Sequence, residues 1–447
     1  MAYFKLYLAK DEDELVLNYD TETSELRREN GDIVIPQDVF KDWKPFFKMD
    51  EGKREITKIK IQLGLKCNYS CEYCSQRFVP RNPDDSYTIE KEYVDSNEID
   101  SFIEKFDNIS IGEELHFEMW GGEPFLYYAK MKSITEKLHA KFPEATFSVI
   151  TNGSILNEEI INFLQQYNYA VAISHDGSGQ KTRGPDPLDD PEKKKWIFKL
   201  RNLFVNENKF SVNSMIHKNN SSRAEVNHWM KNNFGVVPIG EGGTIDAYDE
   251  GGKSMSWKTP EEHINFRRQA YREVVNKQLS QFSIVNQKIQ SFHDSLKEQR
   301  PSSSIGQKCG MDRSDTIAVD LNGNVTTCQN VTVTSSNPHG TSHHIGTMEN
   351  LEDVDIKAGT HWSDREECVK CPVLHLCQGS CLFLPSGSEE WKLSCDNSYS
   401  DNVVWFAAGL YEITKGYTLY RIESDDLPEY RKDVFGFKRG EYAQQEL

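Results

Sequence analysis

Ten cysteines are spread unevenly along the chain. Three form Cys67-x3-Cys71-x2-Cys74, none lies between there and Cys309, and the other seven lie between Cys309 and Cys395. Thiolates bind soft metals, and this clustering is a metal signature rather than a scatter of structural thiols. The first triplet, in LGLKCNYSCEYC, follows directly on a predicted strand, where α/β folds carry their catalytic loops. Such a loop can wrap three thiolates around one face of a 4Fe–4S cube. The fourth iron then has no protein ligand and can be chelated by a small molecule. A structural zinc would want a fourth Cys or His, and the segment offers none nearby.

The elements that must position this loop alternate regularly. Strands are predicted at 58–65, 114–120, 145–150, 169–174 and 210–216, with a sixth within 236–248. Helices are predicted at 97–107, 128–141, 157–166, 190–206 and 223–233. Alternation of this kind means βαβ units and a parallel sheet with right-handed crossovers. Six units are too few for a closed eight-fold barrel, so an open, partial (β/α)6 TIM-like barrel is expected. Residues 1–55 read as a small β-rich extension with a turn at Asn30-Gly31, and the barrel is assigned to 56–255. A helical bridge of one or two long polar helices takes 256–305. A small cysteine-rich domain takes 306–397, with short strands such as TIAVDL (316–321). A closing helix over 402–417 and a polar tail fill 398–447.

Three further motifs fall at predicted strand ends. Trp120-Gly121-Gly122-Glu123-Pro124 ends the second strand, Thr151-Asn152-Gly153 the third, and Ser174-His175-Asp176-Gly177 the fourth, with Arg183 shortly after. Glycines let backbone approach a ligand closely. Each motif alone is more often a plain turn; their order and placement carry the argument. Together with the cysteine triplet and Tyr73 just before Cys74, the set resembles the radical SAM superfamily over residues 57–250. The resemblance implies a cluster on Cys67, Cys71 and Cys74 that binds S-adenosylmethionine and cleaves it reductively to a 5′-deoxyadenosyl radical, which abstracts hydrogen from unactivated carbon. It also implies cofactor contacts from Tyr73, Gly121, Gly122, Glu123, Pro124, Thr151, Asn152, Ser174, Asp176 and Arg183. Glu123 would take the methionyl amine, Thr151-Asn152 the ribose, and Arg183 the carboxylate.

The second group reads Cys309-x13-Gly323-x4-Cys328, then Cys368-x2-Cys371-x5-Cys377-x3-Cys381, then Cys395. Taken alone, Cys368 to Cys381 also suits a zinc staple. The full seven-cysteine pattern resembles the SPASM domain, which implies two auxiliary 4Fe–4S clusters and three clusters in all. The resemblance assigns Cys309, Cys328 and Cys381 to the first auxiliary cluster, and Cys368, Cys371, Cys377 and Cys395 to the second. Residues 310–327 hold no fourth cysteine for the first, so its last iron is open or takes a group such as Asp312 or Asp315.

SPASM relatives mostly act on peptides or proteins. Anaerobic sulfatase maturases place a proton-accepting Asp directly after the second SPASM cysteine, and here that position is Gln329. Maturases of ribosomally made peptides form thioether or carbon–carbon crosslinks, and many carry an N-terminal winged helix for which the first 55 residues are too short. Leader recognition would then lie elsewhere or in a separate protein. The expected activity is peptide modification, most simply crosslinking of a ribosomal precursor, with flavodoxin or ferredoxin as electron donor. Formylglycine formation and a non-catalytic iron–sulfur scaffold are the alternatives.

Composition sets outer bounds. Of 447 residues, 52 are Lys or Arg and 70 Asp or Glu, giving a net charge of −18. That balance argues against a general nucleic-acid binder. No apolar run reaches the roughly 20 residues of a membrane helix, and the acidic N-terminus is no signal peptide. A cytoplasmic location is expected, where thiols stay reduced. His217 and His116 are read first as structural, Asp246, Asp249 and Glu250 as a solvated acidic turn, and Asp11 to Glu14 as a solvated hairpin turn. Trp405, Phe406 and Tyr411 are read as helix core.

Overall fold

The computed structural model describes residues 3–46, 54–77, 79, 94–356 and 358–437. β1 (Tyr3–Lys10), β2 (Asp13–Asp20) and β3 (Glu25–Arg28) form an antiparallel meander. Its first turn is confined to Asp11-Glu12, and Asp13 and Glu14 already belong to β2.

Strands and helices then alternate: β4 (Ile56–Gln62), α1 (Ser96–Glu104), β5 (Ile111–Trp120), α2 (Tyr128–Lys141), β6 (Thr146–Thr151), α3 (Glu158–Gln166), β7 (Ala170–Ser174), α4 (Pro191–Phe204), β8 (Phe210–Ile216), α5 (Arg223–Phe234) and β9 (Ile239–Thr244). The six strands pair in parallel in this order. Side-chain caps start most of the helices, as where Asn157 accepts from the Ile160 N–H and Ser222 from the Glu225 N–H. A parallel sheet covered on both faces by apolar layers reads as a continuous hydrophobic run. Here burial alternates instead. Ile59, Ile61, Phe117, Met119, Val149, Val171 and Val212 are buried in the core, while Lys58, Lys60, His116, Glu118, Ser148 and Asn213 on the other face are only partly buried. That face is the polar lumen of a partial barrel, crossed by a Lys58–Glu118 ion pair at 2.9 Å.

Past β9 come α6 (Glu250–Met255) and the two bridge helices, α7 (Pro260–Val275) and α8 (Ser283–Lys297). The segment expected as a short strand of the cysteine-rich region is β10 (Thr316–Asp320), and it pairs in parallel with β4, Thr316 opposite Lys58 through Asp320 opposite Gln62. β11 (Asn324–Thr326) and β12 (His344–Thr347) add antiparallel strands outside it. The cysteine-rich segment is thus joined to the barrel by backbone hydrogen bonds, in one sheet of order β12-β11-β10-β4-β5-β6-β7-β8-β9.

Two short helices, α9 (Glu366–Val369) and α10 (Leu374–Cys377), precede α11 (Glu389–Ile413). The closing helix therefore starts thirteen residues before the expected Asn402, and Cys395 lies within it. Its first half escapes hydropathy because it buries polar groups. Asp401 pairs with Arg223 at 2.6 Å, Ser400 accepts from Arg267, and Asn397 donates to the Ile245 carbonyl. Trp405 and Phe406 are core, as expected, with Phe406 against Tyr19 and Phe292. The expected polar tail contains β13 (Thr418–Glu423), which pairs antiparallel with β1, and α12 (Glu429–Lys432); residues 438–447 lie outside the described residues. Among the described residues no helix is long and apolar enough to cross a membrane.

The contact between α7 and α11 makes the fold acid-sensitive. His263 is buried with its Nδ1 at 2.9 Å from the Ser400 hydroxyl, and burial lowers its pKa to about 4. In the unfolded chain the ring titrates near about 6.5. The unfolded state therefore takes up the proton first as pH falls, so this contribution is full above about pH 6.5 and declines toward about pH 4. The urea midpoint is expected to drop between about pH 7 and 5, and less so in His263→Gln. Equal drops in both chains would refute the assignment.

Candidate functional site

The loop that leaves β4 carries the first cysteine triplet and is pinned by the segment that leaves β5. The Gly122 N–H donates to the Gly64 carbonyl and the Glu123 N–H to the Lys66 carbonyl, at 3.0 and 2.9 Å. A Cβ on Gly122 would lie 2.3 Å from the Lys66 oxygen, so only glycine permits this approach. The Tyr127 hydroxyl accepts from the Lys66 N–H at 2.9 Å. Cys71 is buried, Cys74 half-buried and Cys67 exposed, and the first two pack with Tyr69, Tyr73, Met215, Ile245 and Met255. Burial raises the Cys71 thiol pKa, while Arg183 pulls it down.

The strand-end motifs converge on this loop. Glu123, 1% exposed, accepts from the Thr151 hydroxyl and the Asn152 N–H at 2.7 Å and from the Phe125 N–H at 3.2 Å. Its carboxylate, expected to take a cofactor amine, also ties β5 to β6. Pro124 opens the 3-10 turn that Glu123 caps, with Gly121 packed on the Gly64 carbonyl. The Asn152 amide donates to Asn68 Oδ1 at 2.8 Å, reaching back to the residue after Cys67. Past Ser174 at the end of β7, Asp176 is fully buried and accepts from the Tyr73 hydroxyl at 2.6 Å and the Met215 N–H at 3.0 Å. Arg183 donates to the same Tyr73 oxygen at 2.7 Å.

Several donors around the loop have no partner among the described residues: Gln180 Nε2, Arg183 Nε and His217 Nε2. His217 Nδ1 accepts from the Asn219 N–H, which leaves its proton on Nε2, and the ring lies 5.1 Å from Tyr73. Buried donors are rarely left unmatched, so these suit a bound group rich in acceptors. An S-adenosylmethionine on a three-thiolate cluster fits that requirement. His217 was read as structural because a lone histidine at a strand end carries no spacing signal.

The seven later cysteines separate into two groups. Cys368, Cys371, Cys377 and Cys395 line one small cavity, together with Ser380, Trp391 and Tyr399. Cys328 and Cys381 pack with Tyr248, Met311 and Phe383. The Cys381 thiol is raised in pKa first by burial, then by Asp246, Cys309 and Cys328. The zinc set considered from the sequence, Cys368 to Cys381, is not the set that shares the cavity. A four-thiol cavity is the donor chemistry of an iron–sulfur cluster.

The remaining candidates take definite places. Asp315 is held by Arg313 and the Thr316 hydroxyl, whereas buried Asp312 accepts from the Gln307 N–H and lies close enough to influence the Cys309 thiol. Gln329 Oε1 accepts from Lys60 at 3.2 Å. Asp246 accepts from Ser380, and Asp249 caps α6 with its Oδ2 buried and unmatched, so the expected solvated acidic turn is partly interior; Glu250 pairs with Lys253. His116 is satisfied by Thr146 and Ser148. Sequence reasoning missed Tyr248, whose hydroxyl meets His343 at 2.5 Å beside Cys328 and Cys381.

An open parallel barrel with a three-cysteine loop at the carboxyl end of its first strand defines a metal-dependent α/β enzyme class. Residues 61–185 match the family model of the radical SAM superfamily. It is 26% identical over 170 residues to the radical SAM cyclopropyl synthase TigE of Paramaledivibacter caminithermalis, a match covering 35% of each chain. It is 23% identical over 356 residues to the cysteine-type anaerobic sulfatase-maturating enzyme of Clostridium perfringens, covering 72% of this chain and 88% of that one. The match thus spans about a third of the cyclopropyl synthase and most of the maturating enzyme. The fold is similar to native anSMEcpe with bound AdoMet and Cp18Cys peptide, with a TM-score of 0.55 at 18% identity over 80% of this chain and 98% of that chain.

Proposed function

We propose that this radical SAM enzyme modifies a ribosomally made peptide, abstracting hydrogen from it and installing a thioether or carbon–carbon crosslink or a similar bond. The observation that carries the reading is the set of three cysteine groups, with the first auxiliary group set against the barrel lumen through Gln329 and Lys60. A structure of similar fold, anSMEcpe, was solved with a peptide bound, which fits a peptide substrate.

When bound, the cluster and S-adenosylmethionine supply one-electron chemistry that ends in hydrogen abstraction. The chain's own residues prepare for it. Cys67, Cys71 and Cys74 hold the first cluster. Gly121 and Gly122 let the end of β5 lie against the Gly64 and Lys66 carbonyls, fixing the loop that would hold the cluster, while Glu123 fixes β5 against Thr151 and Asn152. Arg183 and Asp176, joined through the Tyr73 hydroxyl, set the charge around the loop, and Gln180, Arg183 and His217 keep donors free for the cofactor. Cys309, Cys328 and Cys381 hold one auxiliary cluster, with Asp312 beside them, and Cys368, Cys371, Cys377 and Cys395 the other. Crosslinking removes two electrons from the peptide, and auxiliary clusters offer an acceptor for the second.

The likeness to a sulfatase-maturating enzyme supports a second reading, formylglycine formation. Gln329 weighs against it, since an amide held by an ammonium cannot take up a proton as a carboxylate does. The test incubates anaerobically reconstituted enzyme with dithionite, S-adenosylmethionine and either precursor peptides from neighbouring genes or a sulfatase-derived Cys or Ser peptide. The proposal expects 5′-deoxyadenosine and a peptide lighter by two hydrogens per bond. Formylglycine in the sulfatase peptide alone would overturn it, and absence of 5′-deoxyadenosine would leave a scaffold.

A further inference from the structure

The residues after Cys328 are gripped by the barrel at every position. Lys60 donates to the Gln329 side chain at 3.2 Å, and the Gln62 amide, 7% exposed, donates to both the Gln329 and Val331 carbonyls at 2.7 Å. Asn330 stands apart within this clamp. Its Oδ1 accepts from Gln76 Nε2 at 3.0 Å and from the Trp120 indole N–H at 2.9 Å. Gln76 is two residues past Cys74, and Trp120 directly precedes Gly121. Meanwhile the Asn330 backbone N–H points at Cys328 Sγ, 3.5 Å away.

We infer that Asn330 is a positioning residue that joins the radical-cluster loop to the first auxiliary site and sets the spacing between them. One oxygen receives a donor from the Cys74 loop and another from the Gly121–Gly122 segment, while the same residue's N–H is directed to a sulfur of the other group. Side chains around a metal ligand orient it and tune the metal, and hydrogen bonds to sulfur alter the electronics of iron–sulfur centres. A carboxamide suits the place because its oxygen has two acceptor sites, enough for both donors. An aliphatic side chain there would leave the Gln76 amide and the Trp120 N–H without that acceptor and free the two loops to move separately. The spacing part of this inference rests on the reading that both cysteine groups carry clusters; the mechanical link between the loops does not.

The test uses cluster-loaded Asn330→Ala and Asn330→Asp, with iron counted first. Two readouts follow: amide exchange at 72–77, 120–123 and 328–332, and microwave power saturation of the reduced radical-cluster EPR signal. In Asn330→Ala, exchange is expected to rise about tenfold in all three segments, as the loss of two hydrogen bonds implies, and the saturation power to shift as the spacing to the auxiliary cluster changes. Asn330→Asp keeps an oxygen acceptor for both donors and should restore both readouts. Where Asn330→Ala fails to load iron, Trp120→Phe and Gln76→Leu each remove one donor and should each raise exchange at 328–332 about threefold. Wild-type exchange in all these variants overturns the inference. Wild-type saturation in Asn330→Ala with faster exchange overturns the spacing role. An auxiliary site that binds no iron overturns the cluster reading and the spacing role with it, while exchange still decides the link.

Discussion

Replacing Cys71 with alanine should leave a folded chain that releases no 5′-deoxyadenosine from S-adenosylmethionine under reducing conditions. The loop supplies three thiols, and the described residues around it bring no further cysteine, so two cannot hold a cube whose fourth iron is already open. The fold should survive because the loop is not held by Cys71. It is held by the Glu123 N–H on the Lys66 carbonyl, by the Tyr127 hydroxyl on the Lys66 N–H and by Asn152 on Asn68. Losing a small buried side chain costs about 1–2 kcal/mol, well inside the about 5–15 kcal/mol margin of a folded protein. Iron per chain should fall by one cluster's worth, with the auxiliary absorbance retained. Cofactor cleavage at wild-type rate in Cys71→Ala would remove this triplet from the chemistry.

Much of this site was legible because the chemistry sits where local periodicity is strongest. Strands such as KIKIQ and FSVNSMI alternate with period two, helices between them begin with caps at Asn157 and Ser222, and the motifs fall at the strand ends. What stayed hidden depends on distant partners. Nothing local in TLYRIE announces that it will pair with the chain's first strand. The front of α11 looks polar until Arg223, Arg267 and the Ile245 carbonyl are brought to Asp401, Ser400 and Asn397. That Glu123 also ties β5 to β6 was hidden because the sequence cannot place Thr151 and the Asn152 N–H against it. Trp120, read as a flank of the glycine pair, turns out to reach Asn330 across the sheet.

The second large effect concerns Cys371. α9 and α10 are single turns of four residues each, far below the length at which a helix holds itself. Between them and α11 the cavity of Cys368, Cys371, Cys377 and Cys395 is where the chain is cross-braced. The Cys371 thiol is pushed up to about 12 by burial first, with Cys377 and Cys395 adding to it and Arg431 opposing. Without metal it stays protonated at neutral pH. A bound metal reverses the balance, since ligation requires the thiolate and releases the proton. Loading should therefore weaken as pH falls, and structural metal binding of this kind is worth on the order of 10 kcal/mol in small metal-nucleated folds. Cys371→Ala is expected to expose residues 366–384 to limited proteolysis. Strands β4 to β9 should stay protected and the first triplet should still bind iron. A chain that resists cleavage across 366–384 as well as wild type does would mean that Trp391, Arg365 and Leu384 hold this region without the metal.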